Sequence, residues 1–493
     1  MSKKIELCFK GAILFFVLAL ILPMQTAVAK EKNIEATTTG KVTDTVGDPI
    51  KIASGLISGK TLGEAGKEVR AYLGIPYAAP PVGNLRWKPP QPVVPWSGIR
   101  KATQYSKTAV QSAGGPFDFF PQDEDCLYLN VITPAKNANE KLPVMVWFHG
   151  GGYAWGSGNN QLFNNYRLPQ HGVIVVSVNM RLGIFGLLAH PLLSAESQQG
   201  VSGNYMFLDM LASLKWVKNN IGAFGGDPDN VTIFGVSSGG GKVAALVASP
   251  LGKGLFKRGI CESGSADAGK SALSDLEKTG EKFFKLLKVT TLEEARKIPW
   301  KDIKEQSLAA NCSLAVDGWF IKDSPANIFA SGKQNPVQMM VGLNQGELDF
   351  GMDIVSDYVS MLSGLRKLGV DGYAYIFDQV PSNWKKKGGK AVHALELFYV
   401  FGDYDHKTTE DWPLMYQQES RYGIGPEDKD PVMTEIDKKV SEEMMSVWAQ
   451  FAKTENPSVK GLIAVPAWEP GSDKYLYISD PLQIKSGFST LAK

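Results

Sequence analysis

Residues 231–241 read VTIFGVSSGGG. Four strand-forming residues, 231–234, run into Gly235, Val236, Ser237, Ser238 and Gly239, and a helix-compatible stretch, residues 242–248 (KVAALVA), follows. This is the local order of a G-x-S-x-G turn, in which a serine hydroxyl is presented at the end of a sheet strand. The serine there takes a strained backbone conformation, and the flanking positions must be glycine so that strand and helix can approach closely. Gly235 and Gly239 satisfy that requirement. A five-residue pattern with three fixed positions also arises by chance. Taken alone, the stretch leaves two readings of Ser237 open: an activated nucleophile, or one more serine in a glycine-rich turn.

The flanking sequence bears on the choice. Residues 142–148 (LPVMVWF) and 173–178 (VIVVSV) show too little alternation for half-exposed strands and predict strands buried on both faces. Between the second of these and the Ser237 strand, Phe207, Leu211, Leu214, Val217 and Ile221 recur at three- and four-residue spacing, which predicts a helix with one apolar face. Buried strands alternating with helices imply an α/β fold, a parallel sheet covered by helices, whose chemistry sits beyond the carboxyl ends of the strands. Ser237 is at one such end. His149, followed by Gly150, Gly151, Gly152 and Tyr153, is at another. Consecutive glycines can turn backbone N–H groups toward one point, so this loop, with the N–H of Ser238 as a third donor, suits an oxyanion. A flexible loop is the plain alternative.

Composition narrows the class. Lys3, Lys4 and Lys10 precede an apolar run over residues 11–22, and Ala27, Val28 and Ala29 supply a small-residue cleavage pattern, so residues 1–29 resemble a secretory signal peptide cut after Ala29. A secreted or periplasmic location is expected. The run is too short to span a bilayer easily, and Cys8 precedes it, which argues against a lipoprotein anchor. Removing residues 1–29 takes three lysines and one glutamate from 52 basic and 50 acidic residues, leaving a neutral chain. Neutrality gives no electrostatic case for nucleic acid or an anionic membrane surface as a partner. Residues 30–49 are expected to be a flexible leader, and residues 50–493 a single domain. Cys126, Cys261 and Cys312 cannot all pair, and no spacing of cysteine or histidine suggests a metal, so neither cofactor nor metal is expected.

Five motifs carry a resemblance: YLGIPYAAPPVGNLRWKPPQP (72–92), EDCLYLNVITP (124–134), PVMVWFHGGGY (143–153), VNMRLGIFG (178–186) and FGGDPDNVTIFGVSSGG (224–240). In this order they resemble the type B carboxylesterases, a family that includes the cholinesterases and bacterial para-nitrobenzyl esterases. The resemblance implies an α/β-hydrolase fold, a large mixed, mostly parallel sheet flanked by helices. It implies Ser237 as nucleophile, and it supplies the two partners that local sequence left open. VGLNQGELDFG (341–351) resembles the family segment that carries the acid, here Glu347, and HALELFYVFG (393–402) the segment that carries the base, here His393. The order serine, acid, histidine is that of α/β-hydrolases. Asp349 lies in the same turn and is the alternative acid. His171, His190 and His406 have no comparable context. Lys385, Lys386, Lys387 and Lys390 read as a solvated turn, with attraction of anionic substrates as the other reading.

Two departures stand out. The family usually places glutamate before the nucleophile, and Val236 stands there instead. Disulfide-bonded relatives pair the cysteine of EDCLYLN with one upstream, and KTAVQ (107–111) has none, so Cys126 is expected to be a free thiol. The implied activity is hydrolysis of a small-molecule ester through an acyl-enzyme, with Gly151, Gly152 and Ser238 as oxyanion donors. An amidase, thioesterase or polyester hydrolase would use the same residues, and a non-catalytic binding or adhesion module is the alternative from another class. His393 follows Glu347 by only 46 positions. The resemblance implies a substantially longer, largely helical segment there that forms one wall over the site. This chain has one helical stretch, about residues 354–368, before a segment at 373–381 that resembles the strand preceding the histidine loop, so a shortened helical cap and tolerance of bulky alcohol groups are expected.

Overall fold

Short runs of β-branched and aromatic residues, flanked by glycine and polar turns, form an 11-stranded mixed sheet. The computed structural model describes residues 48–113, 121–266, 271–307, 313–349, 354–403 and 431–491. In chain order the strands are β1 (Lys60–Leu62), β2 (Val69–Pro76), β3 (Tyr128–Thr133), β4 (Leu142–Phe148), β5 (Ile174–Val178), β6 (Gly226–Val236), β7 (Arg258–Glu262), β8 (Gln338–Asn344), β9 (Gly372–Phe377), β10 (Lys474–Ile478) and β11 (Gln483–Ser486). Their spatial order is β11-β10-β9-β8-β7-β6-β4-β5-β3-β2-β1. From β10 to β5 every neighbouring pair is parallel. Antiparallel pairs are confined to the two edges. The expected signal peptide lies outside the described residues, as does all of the expected leader except residues 48 and 49.

The central strands are buried on both faces, as their lack of alternation predicts. On one face Val144, Val146, Phe148, Val231 and Ile233 join a core with helices α1 (Tyr205–Asn220), α2 (Ser238–Ala248) and α3 (Ile354–Lys367). On the other, Met145, Trp147, Phe234 and Val236 meet α4 (Glu435–Thr454) through Val440, Met444, Trp448 and Phe451. The helix expected around Phe207 differs from its prediction in one respect. Eleven of the 16 residues of α1 are buried, not a single stripe. It is covered on its outer side as well, where Arg181 pairs with the fully buried Asp209 at 2.6 Å. Cys126 and Cys261 are buried free thiols, and Cys312 lies outside the described residues. Among the described residues no helix is long and apolar enough to cross a membrane.

Strand β4 lies between β5 and β6. The chain therefore leaves β4 toward one side and returns on the other, which makes its carboxyl end a topological switch point, where crevices open in such sheets. The residues after β4 and after β6 emerge there together.

Candidate active site

Ser237 sits at the turn between β6 and α2 with φ 58° and ψ −129°, a conformation that costs of order 1–3 kcal/mol for a non-glycine residue. Two hydrogen bonds and two flanking glycines hold it. The Ser237 N–H donates to the Glu262 carbonyl at 2.7 Å, and the Gly241 N–H donates to the Ser237 carbonyl at 3.1 Å. The glycines on either side admit the end of β4: a Cβ on Gly235 would lie 2.4 Å from the Phe148 carbonyl oxygen, and one on Gly239 would lie 2.2 Å from the same atom. No side chain fits there without moving a sheet strand. The helix begins directly at Ser238, four residues earlier than its apolar stretch.

The glycine loop follows β4 and lies against this turn. A Cβ on Gly150 would be 3.1 Å from the Ser237 Cβ, and the Tyr153 N–H donates to the Ser238 hydroxyl at 3.2 Å. Gly151 and Gly152 have φ of 104° and 61°, conformations that glycine adopts without penalty. Among the described residues nothing accepts a hydrogen bond from the N–H of Gly151, Gly152 or Ser238. His149 is buried, its Nδ1 lies 2.8 Å from the Gly150 carbonyl, and burial, then the Lys242 charge, hold its pKa well below the usual imidazole value.

Glu347 lies in the short helical turn Gln345–Leu348 after β8, and His393 in the loop after β9. The two meet: His393 Nδ1 is 2.5 Å from Glu347 Oε1. The other carboxylate oxygen, Oε2, accepts from the Ser263 hydroxyl at 2.6 Å and from the Asn344 N–H at 2.7 Å. Glu347 is 1 % exposed. Asp349 instead points outward and pairs with Lys390 at 2.5 Å. The other described histidines are engaged elsewhere, His171 with Glu442 at 3.2 Å and His190 with the Leu192 N–H, and His406 lies outside the described residues. Lys385, Lys386 and Lys387 are exposed.

Behind the Glu347–His393 pair lie two further buried carboxyl groups. Glu396 receives a hydrogen bond from the Asn344 amide, and burial, followed by the charges of Glu347 and Glu262, pushes its pKa up to about 8. Glu262 accepts from the Trp448 indole N–H at 2.8 Å, and burial pushes it up to about 8. Glu262 is the register partner of Val236. A carboxyl group is absent before the serine, and one stands in register with that position on the adjacent strand, where burial favours its protonated form. Strain also concentrates here, with Tyr153, Ser237, Ser263 and Ala394 accounting for four of the nine non-glycine residues of positive φ among the described residues.

Ser263, Glu262, Asn344, Glu396 and Lys242 were not singled out from sequence. Glu396 lies within the His393 motif, three residues on, and Lys242 is the one charged residue in the apolar helix α2. Ser263 and Glu262 carry no local signal, because their neighbours are set by strand pairing. Among the described residues no group of three or more histidine, cysteine or acidic side chains could hold a metal ion.

A mostly parallel sheet with a serine turn, a glycine loop and an acid–histidine pair at its carboxyl ends defines an α/β-hydrolase. The sequence pattern of the carboxylesterase family matches residues 47–363 and 351–491. A para-nitrobenzyl esterase of Bacillus subtilis (strain 168) is 32% identical over 496 residues, covering 87% of this chain and 95% of that protein. A fumonisin B1 esterase of Sphingopyxis macrogoltabida is 38% identical over 315 residues, 61% of this chain and 57% of that protein's length. A solved para-nitrobenzyl esterase structure superposes with a TM-score of 0.74 at 28% identity, covering 90% of this chain and 97% of that one. The chain belongs to the carboxylesterase family and is a carboxylic ester hydrolase.

Proposed function

We propose that Ser237 is the nucleophile of a serine esterase, His393 its general base and Glu347 the acid that orients the ring. The observation that carries this reading is the bond between His393 Nδ1 and the buried Glu347 carboxylate. A carboxylate at Nδ1 keeps the proton on that nitrogen, which makes Nε2 the nitrogen that accepts one. In the first half-reaction the Ser237 oxygen bonds to the ester carbonyl carbon as its proton passes to Nε2. The tetrahedral oxyanion is held by the N–H groups of Gly151, Gly152 and Ser238, whose donors have no other acceptor among the described residues. Collapse expels the alcohol, which takes the proton from His393. Water then attacks the acyl-enzyme by the same route, releasing the acid and restoring Ser237.

The substrates are small-molecule esters, and two relatives are named for esters of that kind. The short segment between acid and base supports acceptance of bulky alcohols, because α3, the helix of that segment, packs on the sheet through Val355, Tyr358, Met361, Leu362 and Leu365. A secreted or periplasmic site of action follows from the residue pattern of 1–29. A fluorophosphonate should attach to Ser237 and abolish hydrolysis of a short p-nitrophenyl ester, and Ser237→Ala should be inactive. Labelling of another serine, or undiminished turnover by that variant, would refute the assignment.

A further inference from the structure

Lys242 is fully buried in α2. Among the described residues its ammonium makes one hydrogen bond, donated to the His149 carbonyl at 2.8 Å, and it faces the Tyr153 ring at 5.7 Å from the centroid. It forms no ion pair among the described residues, and burial alone pulls its pKa down to about 7. The titratable side chains beside it, His149 and Tyr153, offer no compensating negative charge, since burial favours the neutral form of each. Burying an ammonium in such a place carries a desolvation penalty that an apolar side chain of similar volume does not. Residues that break the local packing rule in this way concentrate at functional sites.

What Lys242 touches indicates the use. The His149 carbonyl begins the peptide that enters Gly150, Gly151 and Gly152. Beyond the glycines the loop is tied down by the Tyr153 N–H on the Ser238 hydroxyl and the Trp155 N–H on the Gly151 carbonyl at 2.9 Å. Before them, the Lys242 bond is the tie from α2. Three consecutive glycines have more conformational freedom than any other tripeptide, and an oxyanion donor works only when held at its bonding distance beforehand. We propose that Lys242 is a positioning residue for ester hydrolysis, clamping the His149 carbonyl so that the Gly151 and Gly152 N–H groups stay aligned on the oxyanion. The proposal rests on the assignment of that loop as the oxyanion site.

The test is Lys242→Met, with turnover of p-nitrophenyl acetate normalised to the Ser237 sites titrated by fluorophosphonate. Because the cost of a buried ammonium is removed, the thermal midpoint should equal or exceed that of the unmodified protein. KM should change by less than about twofold, while kcat per titrated site falls by about tenfold to about a hundredfold, less than or comparable to the loss of one oxyanion donor. Affinity for an aryl boronic acid, which forms a tetrahedral adduct on the serine, should fall by the same factor as kcat. A kcat per site within about threefold of the original overturns the proposal. So does a fall in midpoint and in titratable sites with kcat per site unchanged, which marks a purely structural lysine. Lys242→Leu provides the same comparison if the methionine variant does not fold. Failure of the fluorophosphonate to label Ser237 in the unmodified protein refutes the proposed function itself and is seen independently.

Discussion

Glu347→Gln should remove most of the turnover, and the cause lies in how the two carboxylate oxygens are used. Oε2 accepts two hydrogen bonds, from Ser263 and from the Asn344 backbone. Both partners are donors, so the glutamine that replaces Glu347 must keep its carbonyl oxygen at that position. Its NH2 group then falls at the place of Oε1, against His393 Nδ1. Two donors cannot face each other, so the ring must release its Nδ1 proton and carry one on Nε2. In the proposed mechanism that is the wrong tautomer for accepting a proton from Ser237. Loss of the orienting acid with geometry otherwise intact costs about 10⁴ in kcat, roughly 5.4 kcal/mol of barrier. Asp349→Asn is the matched control. Its ion pair with Lys390 is partly exposed on both sides, is worth at most about 1 kcal/mol of stability, and carries no bond to His393. Turnover of that variant should stay within about threefold of the original. The assay is kcat on p-nitrophenyl acetate, normalised to titrated sites. Glu347→Gln retaining more than about a tenth of kcat, or Asp349→Asn being the more damaged of the two, would refute the reasoning.

Two further outcomes are expected. Burial raises the Glu396 carboxyl to about 8, so the folded protein keeps a proton that the unfolded chain releases: its contribution to stability is full below the ordinary carboxylate range and is lost as pH rises toward about 8. Glu396→Gln should therefore flatten the decline in unfolding free energy between about pH 5 and about pH 8, by no more than ~1.4 kcal/mol per pH unit, and urea unfolding with identical slopes in both proteins would contradict it. In acetate esters with alcohols from methyl to naphthyl, kcat/KM should fall little with size, and a steep loss would mean that the site is enclosed by something other than the segment between Glu347 and His393.

Much of the site was legible because it is local. The turn around Ser237 and the glycine loop after Phe148 are dictated by residues within a few positions of one another, where a positive φ or a 2.2 Å approach to the Phe148 carbonyl demands glycine. Choosing Glu347 over Asp349 was harder. Both lie in one turn, and which side chain enters the protein depends on the direction of the turn against the 391–393 segment, where the Gly346 N–H donates to the Ala391 carbonyl at 3.0 Å. The breadth of burial on α1 was likewise invisible, since a stripe of apolar residues marks one packed face and says nothing of a second layer laid over Asp209.

By itself, the sequence determined the strand-turn-helix at Ser237, the buried strands that require a covered parallel sheet, and, through its five ordered motifs, the family. Only the tertiary structure decided what surrounds the histidine. Ser263 reaches Glu347 across 84 positions, Glu396 shares Asn344 with it across 52, Lys242 reaches His149 across 93, and Glu262 comes beside Val236 through the register of β6 and β7. Contacts of that span are set by which strands pair and in what register, a global minimum over the whole sheet, and no spacing or periodicity along the chain encodes them.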